Sequence, residues 1–218
     1  MIPLLPTSFL PSIAWFSILW THETVCLEAC EHFQKGSLRN RCYIAGPNGM
    51  QRLSIPLAKG KHQQMPIREV RIAYDEPWQR QHWRSIRTAY GNAPFFEHYA
   101  DELAPFFERR FEFLFDFNSE LCHLLLKKWG WKGALTHSAQ YLEPGHVPPG
   151  TDFRSSFSDV AGKIPDWFCP LPYPQVFGDR MPFLPNLSAL DLLFCCGKQA
   201  REVLAYPHSI TPSLSSRL

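Results

Sequence analysis

The sequence predicts a single α/β domain with a partly parallel, mixed sheet, one β-hairpin and several packed helices. The apolar start of the chain predicts a buried strand, a turn and a buried helix. Apolar residues then alternate in 24–30, which predicts a second strand. Parallel neighbours need a crossover of this kind, so the strand–helix–strand order favours a parallel pair. The pair Asn48-Gly49, flanked by alternating apolar residues, predicts the hairpin.

The composition is that of a globular protein. Hydrophobic residues make up 45% and charged residues 19% of the 218 residues, enough for one domain with a substantial core. We predict that the domain covers residues 1–205 and that the Ser- and Pro-rich tail 206–218 frays. The net charge of +2 is too small to indicate a nucleic-acid-binding protein.

The N-terminus and the cysteines together predict a cytoplasmic protein. Pro3, Pro6 and Pro11 interrupt the apolar start, which also lacks a basic segment, and this argues against a signal peptide or a membrane span. The seven cysteines are an odd number without a CxxC pair, which favours reduced thiols over a disulfide framework.

Helix signals fill the middle of the chain, where a proline or an acidic residue stands at each predicted start. The four predicted helices begin at Asp75-Glu76-Pro77, at Pro94, at Pro105 and at Asp116. Alternating residues predict one strand over 67–73 before these helices and a short one within 134–141 after them.

Nine of the 20 prolines lie in 144–185, which predicts a segment with little regular structure. A segment of this length is usually a functional loop or disordered. Its polar groups include Tyr173 and Gln175, so it either closes over a ligand or simply docks through its Pro and Phe side chains. Ser188, followed three residues later by Asp191, predicts a capped final helix.

Basic side chains cluster just before the predicted hairpin and form the candidate substrate-binding site. Lys35, Arg39 and Arg41 lie close in sequence, with Asn40 between the two arginines. On a strand, Arg39 and Arg41 would share one face about 7 Å apart. Two guanidinium groups placed in this way can bind a phosphate or a carboxylate. Lys59 follows the hairpin and is predicted to approach the same region. The alternative is a solvated basic edge that prevents pairing with another strand.

Two residues are candidates for catalysis. His82 could act as general acid or base because its ordinary pKa is near neutrality, although a lone helical histidine is more often structural. Ser138 ends a predicted strand, the place where α/β proteins bind ligands. Arg80, Arg84 and Arg87 form a helical stripe, more often a solvated face than a binding surface. No metal-binding spacing and no nucleotide-binding loop occurs, so neither a metal nor a cofactor is predicted.

Five segments, taken in this order, resemble the WbqC-like family, in particular its shorter members from Bacteroidetes-type bacteria. They span residues 9–197 and are FLPSIAWFSIL, LEACEHFQKGSLRNRCYI with NG following, LSIPLAKG, HWRSIRTAYGNAPFF and YPQVFGDRMPFLPNLSALDLLFCCG. The chain departs from longer members in lacking their Gly-rich segment after the strand that ends near Ser138. The resemblance marks nine motif positions: Arg39, Asn40, Arg41, His82, Trp83, Tyr173, Gln175, Ser188 and Asp191.

The resemblance implies an enzyme of bacterial surface-polysaccharide biosynthesis of the O-antigen type. For some members a transferase of glycine or another acyl group to a sugar is proposed. The expected partner is a small anionic molecule such as a nucleotide sugar, and the oligomeric state stays open. The alternative is a non-catalytic binding or scaffold protein of a glycan-assembly system.

Overall fold

The protein contains a three-stranded parallel sheet. A computed structural model describes residues 1–58, 65–157, 161 and 163–206. Strands β1 (Leu4–Pro6) and β5 (Ala134–His137) pair with the two sides of β2 (Thr24–Glu28), and both pairs are parallel. Helix α1 (Ile13–Trp20) makes the crossover from β1 to β2. The predicted α/β class and the opening strand–helix–strand unit are confirmed.

A fourth segment extends the sheet beyond β1. The Leu4 amide donates to the Thr151 carbonyl, and the Phe153 amide donates to the Leu4 carbonyl. Leu4 and Asp152 thereby form a parallel bridge. Four chain segments therefore run in the same direction and end at one edge, called the carboxyl edge below.

The predicted hairpin is confirmed. It consists of β3 (Arg41–Gly46) and β4 (Gly49–Ser54), antiparallel and in register from Gly46 opposite Gly49 outward. The turn residues are Pro47 and Asn48. Gly49 has a φ of +115°, a conformation that glycine adopts without the steric cost of a side chain.

Helices cover the sheet and the hairpin. After α1, the helices in chain order are α2 (Trp78–Tyr90), α3 (Phe96–Leu103), α4 (Leu114–Trp129), α5 (Ala189–Cys196) and α6 (Ala200–Leu204). Single 3-10 turns occur at Ile67–Glu69, Ala104–Phe107, Pro144–His146 and Gly197–Gln199. In the described part of 144–185, the turn at Pro144–His146 and the bridge at Asp152 are the only regular structure, as the prolines predict. None of the described helices is long and apolar enough to cross a membrane.

Helix α1 is the centre of the core. Seven of its eight residues are buried, and the Phe16 ring meets the Trp129 ring edge-on at 5.1 Å. Its polar side chain Ser17 donates to the Ala14 carbonyl, so no hydroxyl is left unsatisfied there. The apolar N-terminal segment is thus a buried strand, a turn and a buried helix, as predicted.

Three predicted elements differ from the structure. The strand predicted at 67–73 is wrong, because a 3-10 turn places Ile67 and Val70 together in the core and 71–72 form only single bridges. The helix predicted at Pro105 is one 3-10 turn. Asp116 lies in the first turn of α4 rather than at its cap, because the helix already begins at Leu114.

Candidate functional site

The carboxyl edge of the sheet holds a buried network of charged and hydroxyl groups. Ser138, which follows β5, donates its hydroxyl to Glu28 Oε1 at 2.5 Å and accepts the Ala29 amide at 2.9 Å. Arg154, which follows the added segment, donates from Nη1 to Glu28 Oε2 at 3.0 Å and from Nη2 to Asp152 at 2.6 Å. Glu28 is fully buried. The edge is thus filled by side chains that bind one another.

A second buried ion pair lies beside this network. Arg39 binds Glu31 through two parallel hydrogen bonds of 2.8 and 2.5 Å, and both side chains are 3% exposed. Burial raises the pKa of Glu31, while the bonds from Arg39 oppose the rise. Asn118 of α4 donates to the Arg39 carbonyl at 2.8 Å and fixes its backbone. The Arg39 guanidinium is therefore committed to Glu31.

A small cavity of about 20 Å³ lies where the N-termini of α1 and α5 meet. Ser12 caps α1 and Ser188 caps α5, and these two residues form an antiparallel bridge with each other. Two cationic residues, Arg41 and Lys163, line the cavity. The other lining residues are Ser8, Phe9, Leu10, Ser12, Leu38, Cys42, Tyr43, Met50, Asn186 and Ser188. We call this space the helix-junction cavity.

The electrostatics of the helix-junction cavity favour a negative ligand. The N-terminus of each helix carries a partial positive charge, and two such ends meet here. Arg41 opens β3 and is half-buried, while Lys163 is exposed in the Pro-rich segment. A guanidinium, an ammonium group and serine hydroxyls together can bind a phosphate or a carboxylate.

The structure separates the two arginines that the sequence places on one strand face. The expected shared face is wrong, because β3 begins at Arg41 and Arg39 precedes it, bound to Glu31. Asn40 donates its side-chain amide to the Ile55 carbonyl and so ties the start of the hairpin to its end. Lys35 is exposed in the preceding turn. Lys59 lies outside the described residues.

His82 lies in an aromatic environment. Its ring stacks on Phe9 at 5.8 Å and meets the Trp78 ring edge-on at 5.1 Å. Burial lowers the pKa of His82 to about 4, although a hydrogen bond with the Ser54 backbone opposes the change. The imidazole is therefore neutral near pH 7. Phe9 lines the helix-junction cavity, but His82 does not.

The side chains of Tyr173 and Gln175 are hydrogen-bonded to a buried aspartate and so are not left to bind a ligand. The Tyr173 hydroxyl donates to Asp191 Oδ2 at 2.5 Å, and Gln175 Nε2 donates to the same oxygen at 2.9 Å. Gln175 also binds both the carbonyl and the amide of Leu184. Burial raises the pKa of Asp191, while bonds from Tyr173, Tyr90 and Gln175 oppose the rise. These contacts fix the end of the Pro-rich segment on α5.

We expect Tyr173→Phe to lower the free energy of unfolding by about 1–3 kcal/mol, because a buried carboxylate loses a donor while the ring keeps its packing against Phe183. Urea denaturation measures the change. Tyr141→Phe, at an exposed position, is the matched control with little expected effect. Unfolding of Tyr173→Phe at the wild-type urea concentration would contradict the structural role.

Sequence reasoning missed part of the helix-junction cavity. Ser8, Ser12, Lys163 and Asn186 were not among the predicted site residues. Ser12 follows Pro11 and precedes an apolar run, a helix-start signal that could have indicated it. Nothing local connects it to Asn186, which lies at the other end of the chain. Among residues 1–58, 65–157, 161 and 163–206, no three His, Cys, Asp or Glu side chains come together to hold a metal ion.

Comparison with known proteins places the chain in a family. The model of the WbqC-like protein family matches residues 7–146. The "Uncharacterized protein Rv1507c" of Mycobacterium tuberculosis is 26% identical over 231 residues, an alignment that covers 94% of this chain and 97% of that protein. No solved structure matches the chain. With the family model covering most of its length, the chain belongs to the WbqC-like protein family.

Proposed function

We propose that this protein is an enzyme of bacterial surface-polysaccharide biosynthesis that binds the phosphate or carboxylate of its substrate at the mouth of the helix-junction cavity. The lining of this cavity carries the proposal, because it joins Arg41 and Lys163 to two serine hydroxyls at two helix N-termini. Family membership supports the polysaccharide role. The reaction class we propose is the transfer of an acyl or aminoacyl group to a sugar.

The three serine hydroxyls that line the cavity differ in their hydrogen bonds. Ser12 Oγ accepts the Trp15 amide at 3.4 Å, and Ser188 Oγ accepts the Leu190 amide at 3.3 Å. Because both oxygens act as acceptors within the helices, their hydroxyl hydrogens are left to donate to a ligand. Ser8, in contrast, donates to the Leu38 carbonyl at 3.0 Å.

The backbone amides at the helix starts are already bonded within the protein. The Ile13 amide donates to the Leu187 carbonyl, and the Ala14 amide donates to Asn186 Oδ1 at 2.9 Å. The Ala189 amide donates to the Pro11 carbonyl. An anion here would therefore contact the side chains and feel the helix dipoles, rather than take up amides as in a phosphate-binding loop.

The size of the cavity indicates how the substrate would lie. Its volume of about 20 Å³ is far below that of ordinary ligand pockets and has room for about one water-sized group. It would admit one oxygen of a phosphate or carboxylate, with the rest of the substrate lying outside, toward the half-buried Tyr43 and Met50. A phosphate or carboxylate held in this way would be oriented by the Arg41 fork.

Arg41→Gln is expected to weaken binding of a nucleotide sugar or of inorganic phosphate about tenfold or more, because a charged donor is replaced by a neutral one. Isothermal titration calorimetry with UDP-N-acetylglucosamine and with phosphate measures the change. The control is Arg109→Gln, since Arg109 is exposed and paired with Glu120. If Arg41→Gln binds both compounds as the wild type does, the proposed anion site is wrong.

A non-catalytic binding protein is the second candidate. The observation that favours it is the engagement of both predicted catalytic residues within the fold, since Ser138 is bonded to Glu28 and His82 is packed between aromatic rings. A transfer assay separates the two candidates. Binding at the cavity, without transfer from any acyl or aminoacyl donor to sugar acceptors, supports the binding protein.

A further inference from the structure

Helix α2 presents a second cationic surface that shares no residue with the helix-junction cavity. Arg80, Arg84 and Arg87 are all exposed and lie on one helical face within about 10 Å of helix length. With Trp83 and Thr88 they line an open groove of about 520 Å³. We call this space the arginine groove.

The charges of the arginine groove are concentrated and of one sign. The sequence of α2 contains three arginines and no acidic residue. No ion pair is found for Arg80, Arg84 or Arg87 among the residues that the structure describes. Like charges three and four residues apart on a helix destabilise it, so a bound anion would relieve this repulsion. His82 on the same helix is neutral near pH 7 and adds no charge.

The indole ring of Trp83 lies between the arginines and is held in place by its neighbours. Its ring stacks on Phe107 at 5.4 Å and on Phe96 at 6.2 Å, so the indole is fixed by packing. Arginine side chains beside a fixed aromatic ring can adopt fewer rotamers. They therefore lose less conformational entropy when they bind a ligand. Thr88 adds a hydroxyl group at the end of the groove.

Acidic residues limit the length of the cationic surface. Beyond Trp83 and Arg87 the groove continues along α3, where Glu97 and Asp101 line it. An extended polyanion or a flat anionic membrane would meet these carboxylates and be repelled. The surface therefore suits a compact ligand with a high density of negative charge.

We propose that the arginine groove binds a ligand with two adjacent phosphoryl groups, a diphosphate. Three guanidinium groups can bind neighbouring phosphoryl groups bidentately, which a single phosphate would not fully use. The diphosphate could belong to a nucleoside diphosphate or to a lipid-linked diphosphate, and both share this chemistry. The proposal is independent of the proposed anion site at Arg41, because the two sites have no lining residue in common.

Calorimetric titration with inorganic pyrophosphate tests the proposal. The wild type is expected to bind pyrophosphate more tightly than phosphate, with an affinity that falls as salt increases. Each of Arg84→Gln and Arg87→Gln should weaken binding about tenfold, because each removes one charged donor. Titrations with UDP and with farnesyl diphosphate then distinguish the sources, since the tighter of the two identifies the group attached to the diphosphate.

One control separates this site from general charge effects. The double variant Arg109→Gln/Arg110→Gln removes the same charge elsewhere on the surface and should bind pyrophosphate as the wild type does. The proposal is overturned if the wild type does not bind pyrophosphate, if Arg84→Gln/Arg87→Gln binds it unchanged, or if the control loses as much affinity.

Discussion

Arg39→Met is expected to lower the free energy of unfolding by about 3–5 kcal/mol. The change leaves the Glu31 carboxylate without its bidentate partner, in a place where the Glu31 side chain is 3% exposed. A buried charge that loses its partner costs far more than a pair at the surface. Urea denaturation at pH 7 measures the difference.

A double-mutant cycle tests the origin of this loss. Glu31→Leu/Arg39→Met is expected to recover most of the stability, because no isolated charge remains buried. The matched surface control is Arg109→Met, which breaks the exposed pair with Glu120 and should cost no more than about 1 kcal/mol. Equal losses for Arg39→Met and Arg109→Met would show that the Glu31 pair is not a buried ion pair in solution.

Acid is expected to destabilise the protein through His82. Its pKa is lowered to about 4 in the folded protein from an ordinary value of 6.5. Between these values the unfolded chain binds a proton that the folded protein does not, so stability rises with pH in this window. The contribution of His82 is present above pH 6.5 and is lost as the pH falls toward 4. The loss amounts to about 3 kcal/mol.

A comparison of variants isolates this contribution from that of Glu31 and Asp191. The raised pKa values of these carboxyl groups act in the opposite direction, because their folded forms bind protons more readily than the unfolded chain does. His82→Phe keeps an aromatic ring between Phe9 and Trp78 but cannot titrate. Its unfolding free energy, measured in urea from pH 4.5 to 7.5, should vary less with pH than that of the wild type.

The exposed residue His123 provides the matched control for this measurement. His123→Gln should leave the pH dependence of the wild type in place, because the side chain lies at the surface. If His82→Phe and the wild type lose stability in parallel below pH 6.5, His82 is not the group responsible.

Signals carried by neighbouring residues allowed much of the fold to be predicted. Ser188 caps α5, and the residues around Asn48-Gly49 form the hairpin. In both cases the physical cause lies within a few residues, in an amide that needs an acceptor or a turn that needs a particular φ. The parallel pair β1–β2 was predictable because the apolar run of α1 separates the two strands.

Features that depend on distant partners were not predictable in the same way. The pattern around Ile67 alternates as a strand would, but core packing selects a 3-10 turn. Arg39 precedes a strand and looks available to a ligand, yet Glu31 neutralises it in the interior. Asp191 lies in the first turn of the last predicted helix, which predicts a capping role. In the structure its carboxylate instead accepts hydrogen bonds from Tyr173 and Gln175.

The bridge between Ser12 and Ser188 has a consequence for protein synthesis. Ala14 and Asn186, which contact each other, are 172 residues apart in the sequence. The two sides of the helix-junction cavity are therefore synthesised at very different times. Until α5 and α6 emerge, α1 lacks part of its covering although nearly every one of its residues is apolar. Nascent chains halted before residue 187 should therefore expose this helix to chaperones and lack the proposed anion site.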